Sequence, residues 1–260
     1  MKPAKQRPLS RTVSASSLAV AALAAVAALA AILSCAREPE PPFVLRYIGH
    51  DAFTLTTGKG RVVAIDLYRP ETGQQFGLPA IPAGLKADAL VISHNHADHN
   101  YVGCVAGKPE VIRAAGTYAF DDLRVTLYAG RHGVPGKVDT GLKSGPNMIS
   151  VFERDGCKVV HLGDSGVIAD PDIIAGISDA DAVIANVGNS VYPQEDIMAF
   201  MASIGARTVV PAHWDGLDQL ERFLKNDSGG AAVVRGGTEL ALVQGMPRRL
   251  FVMRPSVLEE

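Results

Sequence analysis

The sequence predicts a layered α/β domain. Two observations carry this. Short β-rich runs fill the first part of the chain, and in the last part helical spacing alternates with apolar strands. A third observation concerns the strand ends: four apolar runs each lead, at once or within a few residues, to a histidine or an aspartate.

In chain order, strands are expected at 43–48, 52–56 and 62–66, the last two joined as a hairpin across Gly58-Lys59-Gly60. Residues 89–93 (ALVIS) form a continuous apolar run of the kind that suits a buried strand. Strands at 123–128, 149–154 and 158–162 follow, with Asp155-Gly156 as the turn of a second hairpin. Residues 170–177, 194–204 and 217–225 have helical spacing, and strands at 182–187 and 208–211 lie between them.

Residues 1–34 differ from the rest. Lys2, Lys5, Arg7 and Arg11 form a basic start, and the charge-free Ala/Leu/Val-rich run 12–33 follows. This reads as an export signal or membrane anchor, not as part of the fold. Ile32-Leu33-Ser34-Cys35 resembles the bacterial lipobox, in which the cysteine becomes the lipidated first residue. A cleaved lipoprotein, an uncleaved anchor and a plain cleaved signal all place the domain outside the cytoplasm, in the bacterial cell envelope. Residues 35–42, with REPEPP at 37–42, read as a short stiff tether, and 43–260 as one large domain.

Removing 1–34 takes away four basic residues and no acidic ones, so the formal net charge goes from −2 to −6. That argues against a nucleic-acid partner, which calls for a basic face. Nothing in the sequence sets an oligomeric state. Cys104 and Cys157, the two cysteines after Cys35, either pair or remain buried thiols, and no Cys-x-x-Cys knuckle is present.

The chain has seven histidines, and three of them fall in "ISHNHADHN", residues 92–100. Neutral imidazoles are costly to bury unless paired, so a cluster of this kind points to a gripped ion. In extended chain His94 and His96 face the same side and can share one ion, while Asp98 and His99 can reach a second. The other strand ends add His132, Asp164 and His213, and would bring them to the same rim of the sheets. Imidazole and carboxylate suit Zn²⁺, with Mn²⁺ or Fe²⁺ as alternatives.

At this point the sequence resembles the metallo-β-lactamase-fold hydrolases. Their His-x-His-x-Asp-His signature stands at 94–99 without substitution, and GDSG around Asp164 and PAHW around His213 look like the family's later metal-binding motifs. The likeness runs from Phe43 to Gly245; Gly49-His50 and the motif spacing look most like the compact branch containing ascorbate-phosphate lactonases. The resemblance implies a four-layer αββα sandwich holding two divalent metal ions. His94, His96 and His132 would hold one, Asp98, His99 and His213 the other, and Asp164 would bridge them. His161, three residues before Asp164, is the alternative to His132. His50 is expected beside the metals, in contact with substrate or a ligand.

The chemistry so implied is hydrolysis of an ester, lactone or phosphoester by a metal-held hydroxide that Asp98 orients, with a small molecule or a lipid as substrate. The absence of a G-x-S-x-G elbow fits a mechanism without a serine nucleophile. A metal-holding binding protein without turnover is the alternative. Arg131, the loop Asn189-Ser190-Val191-Tyr192 and Trp214 are the candidate substrate contacts, with Arg131 suited to receive a phosphate or carboxylate.

Overall fold

The computed structural model describes residues 40–256, apart from 76, 79, 82, 134–144, 189–193 and 215. The export segment 1–34, most of the tether and the expected contacts Asn189 and Tyr192 lie outside the described residues.

Antiparallel strands open the chain: β1 (Phe43–Gly49), β2 (Ala52–Thr57) and β3 (Val62–Ile65). A short helix α1 (Pro70–Gln75) leads to β4 (Leu85–Lys86), β5 (Ala89–Val91), β6 (Val105–Ala106) and β7 (Glu110–Ile112). Next come β8 (Gly116–Phe120), β9 (Leu123–Arg131), β10 (Pro146–Arg154) and β11 (Cys157–His161). The alternating part is α2 (Pro171–Ile177), β12 (Ala182–Asn186), α3 (Gln194–Ser203), β13 (Thr208–Ala212) and α4 (Leu217–Asn226). Strands β14 (Val233–Arg235), β15 (Glu239–Leu242) and β16 (Arg249–Val252) close the fold.

The strands form a six-stranded sheet, β15-β1-β2-β3-β5-β7, an eight-stranded sheet, β14-β16-β13-β12-β11-β10-β9-β8, and a small β4-β6 pair. Phe43, Leu45 and Phe53 from the first sheet pack against Phe152, Val159 and Val210 from the second. Helices α2, α3 and α4 bury Ile173, Phe200 and Phe223 against the other face of the eight-stranded sheet. Tyr68 and Ile81, on either side of α1, join Ile48, Ala64 and Leu90 on the outer face of the six-stranded sheet. The layer order is the expected αββα, with one short helix on the first side among the described residues. None of the described helices is long and apolar enough to cross a membrane.

Local chemistry explains the elements. Asp155 and Gly156 both take positive φ (48° and 76°), as a tight turn between β10 and β11 requires. Asp170 caps α2 by accepting from the backbone N–H groups of Asp172 and Ile173, and Pro171 stands first in the helix. In α4, Leu220, Phe223 and Leu224 form one buried stripe. β12 and β13 are buried along their whole lengths, as central parallel strands are.

Two differences from the expected elements matter for the site. β5 stops at Val91, because the Ser93 N–H turns away from the ladder to Asp66 Oδ1 at 2.7 Å. β9 continues past Tyr128 to Arg131, because Gly130 lets it lie close to β10: a Cβ there would come within 2.6 Å of Ile149. Cys104 and Cys157 are both free, buried thiols.

Candidate metal centre

Strand direction decides what meets at the rim. β1 runs antiparallel to β2, and β2 to β3, so β1 and β3 share a direction; β5 and β7 run parallel to β3. In the second sheet β11, β12 and β13 are parallel, and β9, antiparallel to β10, runs with them. Their C-terminal ends deliver His50, Asp66, His94, His132, Asp164, Asn186 and His213. Two backbone bonds tie the sheets together at this edge: His213 N–H donates to His50 O at 2.8 Å, and Met148 N–H to Ser93 O at 2.7 Å.

Two four-residue groups result. His94, His96, His132 and Asp164 bring one ligand atom each within 4.8 Å of one another, and so do His50, Asp98, His99 and His213. Asp164 stands between them. Its Oδ2 lies 3.0 Å from His132 Nε2, 3.6 Å from His94 Nε2 and 3.7 Å from His99 Nε2, while Oδ1 lies 3.5 Å from His213 Nε2. His132, rather than His161, therefore joins the HxH pair. His161 is the last residue of β11, fully buried, with Nε2 3.2 Å from Asp51 Oδ2.

Residues of no ligand motif hold this arrangement. Asp66 sits 2.9 Å from His99 Nδ1 and accepts from both the backbone N–H and the hydroxyl of Ser93. The same Ser93 hydroxyl lies 2.9 Å from His94 Nδ1, so one buried carboxylate reaches a histidine in each group. Asn147 Oδ1 accepts the Asp164 N–H, and its amide donates to Leu162 O and Ser165 Oγ. Asn186 donates to Asp164 Oδ1 at 2.7 Å. Gly163 precedes Asp164 with φ 53° and no room for a side chain, since a Cβ would stand 2.6 Å from Asn147 Oδ1. Asp66 carries the same signature as the other ligand-bearing strand ends, an acid directly after 62–65; the two asparagines carry none.

The electrostatics divide the set: burial works to lower His99 and His132, but Asp164 outweighs it and raises both, so a cation would displace a proton there. Burial, reinforced by His99, pushes His94 down to about 4, so its imidazole is neutral near pH 7. Burial, then His213, lowers His50 as well. Burial works to raise Asp98 and Asp164, but the facing histidines outweigh it and hold both carboxyls well below the usual range. His99 Nε2 and both ring nitrogens of His213 are buried without a hydrogen bond. Buried nitrogens left this way are costly, and cations that take their lone pairs remove the cost. The residues fit divalent cations with imidazole and carboxylate ligands.

A cavity of about 500 Å³ opens beside the first group, lined in part by His94, Asn95, His96, Asn100, Arg113 and Met148. Arg131 lines a separate hollow of about 100 Å³ with Gly133, Ser165 and Asp170. Trp214 packs against both main cores and meets Tyr47 edge-on at 6.3 Å, a packing role.

The chain matches the β-lactamase superfamily domain over residues 44–213. A metal-dependent hydrolase of the UPF0173 family from Methanocorpusculum labreanum is 26% identical over 200 residues, covering 68% of this chain and 86% of that protein. One from Methanoculleus marisnigri is 27% identical over 202 residues, covering 70% and 85%. Among solved structures, a metallo-β-lactamase superfamily protein from Thermotoga maritima superimposes with a TM-score of 0.62 at 24% identity, covering 81% of this chain and 98% of its own. The chain belongs to the metallo-β-lactamase superfamily and is a metal-dependent hydrolase of it.

Proposed function

We propose that the protein is a two-metal hydrolase of the bacterial cell envelope, acting on an ester, lactone or phosphoester. The observation that carries this is Asp164, whose carboxylate reaches both histidine groups, Oδ2 towards His132 and Oδ1 towards His213. His94, His96 and His132 would hold one cation and Asp98, His99 and His213 the other, with Asp164 shared. Zn²⁺ suits the donors best. When bound, such cations would provide a hydroxide nucleophile at neutral pH and stabilise charge on the attacked oxygen.

The chain's own residues do the rest. Asp98 Oδ2 stands 3.2 Å from His50 Nε2, so His50 would hold in place the carboxylate that orients the nucleophile. Asp66 fixes the His99 ring and, through Ser93, the His94 ring, which keeps the ligand atoms aimed inward. The cell-envelope location rests on the basic, then apolar, segment 1–34.

Metal analysis of the purified protein, followed by phosphodiester, ester and lactone substrates, tests the reading. Two transition-metal ions per chain are expected. With a turned-over substrate, Asp98→Ala and Asp164→Ala should each cost at least about 100-fold in kcat. Unchanged turnover in both variants overturns the mechanism. Two bound ions without turnover on any substrate make the chain a metal-holding binding protein instead. Mass spectrometry of the mature N-terminus tests the anchor, and an intact Met1 excludes a processed lipoprotein.

A further inference from the structure

We propose that the cavity beside His94 and His96 receives an oxyanion of the substrate, with Arg113 and Asn95 as its binding residues. The substrate class is then a small ester, lactone or phosphoester that carries a separate phosphate or carboxylate. This rests on the hydrolytic reading of the centre and adds the recognition that the metal ligands do not supply.

The placement comes from the sheet. Arg113 directly follows β7, whose Ile112 pairs with Val91 of β5, and Ile112 O accepts the Ile92 N–H at 3.0 Å. Arg113 is therefore one strand over from the turn into His94, at the same rim, and it lines the cavity with His94 and His96. Among the described residues no carboxylate lines that cavity and none forms an ion pair with Arg113. The volume, about 500 Å³, suits a small molecule.

A hydrogen-bond chain fixes the second donor. Arg69 Nε donates to Asn100 Oδ1 at 3.4 Å, and Asn100 Nδ2 donates to Asn95 Oδ1 at 2.6 Å. A guanidinium has only donors, so it sets the orientation of Asn100, which in turn sets that of Asn95. The Asn95 carbonyl is thereby occupied, and its two amide N–H groups remain to donate. A guanidinium and a carboxamide N–H suit an oxyanion. Ile92 and Met148, also in the lining, offer apolar surface for the stem that joins the oxyanion to the reacting bond.

Two measurements test this on the metal-loaded protein. The first compares kcat/KM for p-nitrophenyl butyrate with that for mono-p-nitrophenyl glutarate, which differ chiefly in a terminal carboxylate. The wild type should favour the anionic ester by about tenfold or more, and Arg113→Ala should bring the ratio close to one, with Arg113→Lys between. A wild-type ratio near one, with both esters turned over, overturns the proposal. The second does not depend on turnover: phenylglyoxal modification of Arg113, read by peptide mass spectrometry with and without inorganic phosphate. Phosphate should slow modification at Arg113 while leaving the exposed Arg124 unaffected, and equal rates at Arg113 overturn the proposal. If neither ester is cleaved but phosphate protects Arg113, the anion site stands and ester hydrolysis by this centre fails.

Discussion

His213 donates its backbone N–H to the carbonyl oxygen of His50 at 2.8 Å, and the two imidazole rings lie 3.8 Å apart, centroid to centroid. The carbonyl also accepts the Tyr47 hydroxyl at 3.0 Å. His50 ends a strand of one sheet and His213 a strand of the other, so this contact closes the rim across which the second group assembles. Both residues have positive φ, 57° and 54°, a conformation that costs free energy outside glycine and is concentrated at functional sites. His50 therefore sits among the second group's ligand atoms by construction. His50→Ala should weaken one of two bound zinc equivalents by about 10- to 100-fold and leave the other unchanged. Competition with a zinc chelator measures both; identical titrations of variant and wild type would sink this role.

Asp66 is the next test of how the centre is held. It is fully buried, meets Ser93 twice and lies 2.9 Å from His99 Nδ1. Asp66→Ala leaves the Ser93 donors and a buried imidazole without their acceptor. A stability loss of about 3–5 kcal/mol is expected in urea, since removing one partner of a buried charged network strands the others. Zinc affinity should fall in both sites, because Ser93 passes the effect on to His94. A loss confined to one site would mean that Ser93 orients His94 unaided.

How much of this could be read in the sequence depends on whether a residue advertises its chemistry. His94, His96, Asp98, His99, His132, Asp164 and His213 combine a ligand-type side chain with a place in a motif or at a strand end, and the structure brings all seven together. Asp66 had the same strand-end signature but no motif. Asn147 and Asn186 are uncharged, and their role depends on pairings across the sheet that no local pattern encodes. Arg113 followed a three-residue strand with a single buried position, too short for periodicity to show. The same limit applied to β8 and β14, half-exposed strands of five and three residues. The hairpins were legible because Gly58-Lys59-Gly60 and Asp155-Gly156 carry turn chemistry.

Gly163 tests the approach of the Asp164 loop to the first sheet. A methyl there would stand 2.6 Å from Asn147 Oδ1 and 2.7 Å from Ser93 Cβ, and φ is 53°. Gly163→Ala should destabilise the fold by about 1–3 kcal/mol from overpacking and strain together. Because it pushes on Ser93 and Asn147, it should also lower zinc affinity. Thermal unfolding of the zinc-free and zinc-loaded protein separates the two effects, and a larger drop in the loaded form is expected.

The free thiols should be inert. Burial, followed by the nearby Asp181 charge, pushes the Cys157 thiol up to about 12, and burial raises Cys104. At pH 8 neither has much thiolate, and both are shielded. Iodoacetamide should label neither residue in the native protein within an hour and both after unfolding. Rapid native labelling of Cys157 would mean that the β10–β11 end opens readily.

The pair beneath the centre predicts a pH dependence. Asp51 and His161 are both fully buried, 3.2 Å apart, and Asp51 Oδ2 lies 3.7 Å from His99 Nδ1. Burial works to raise the Asp51 carboxyl, but the His161 imidazolium outweighs it and holds the group at about 2, below its ordinary 3.8. Burial works to lower His161, yet Asp51 raises it above 6.5. The sign follows for each. A depressed acid stabilises the fold above its unfolded value, so the Asp51 contribution is full above pH 4 and is lost as the pH falls towards 2. A raised base does the reverse, so the His161 contribution is full below pH 6.5 and is lost as the pH climbs through its elevated folded value. The pair therefore contributes most between about pH 4 and 6.5. In zinc-free protein, Asp51→Asn should remove on the order of 2 kcal/mol at pH 5 and flatten the fall in stability between pH 4 and 2. Urea unfolding across that range measures it. Parallel curves for variant and wild type would show that Asp51 is not charged in the folded protein.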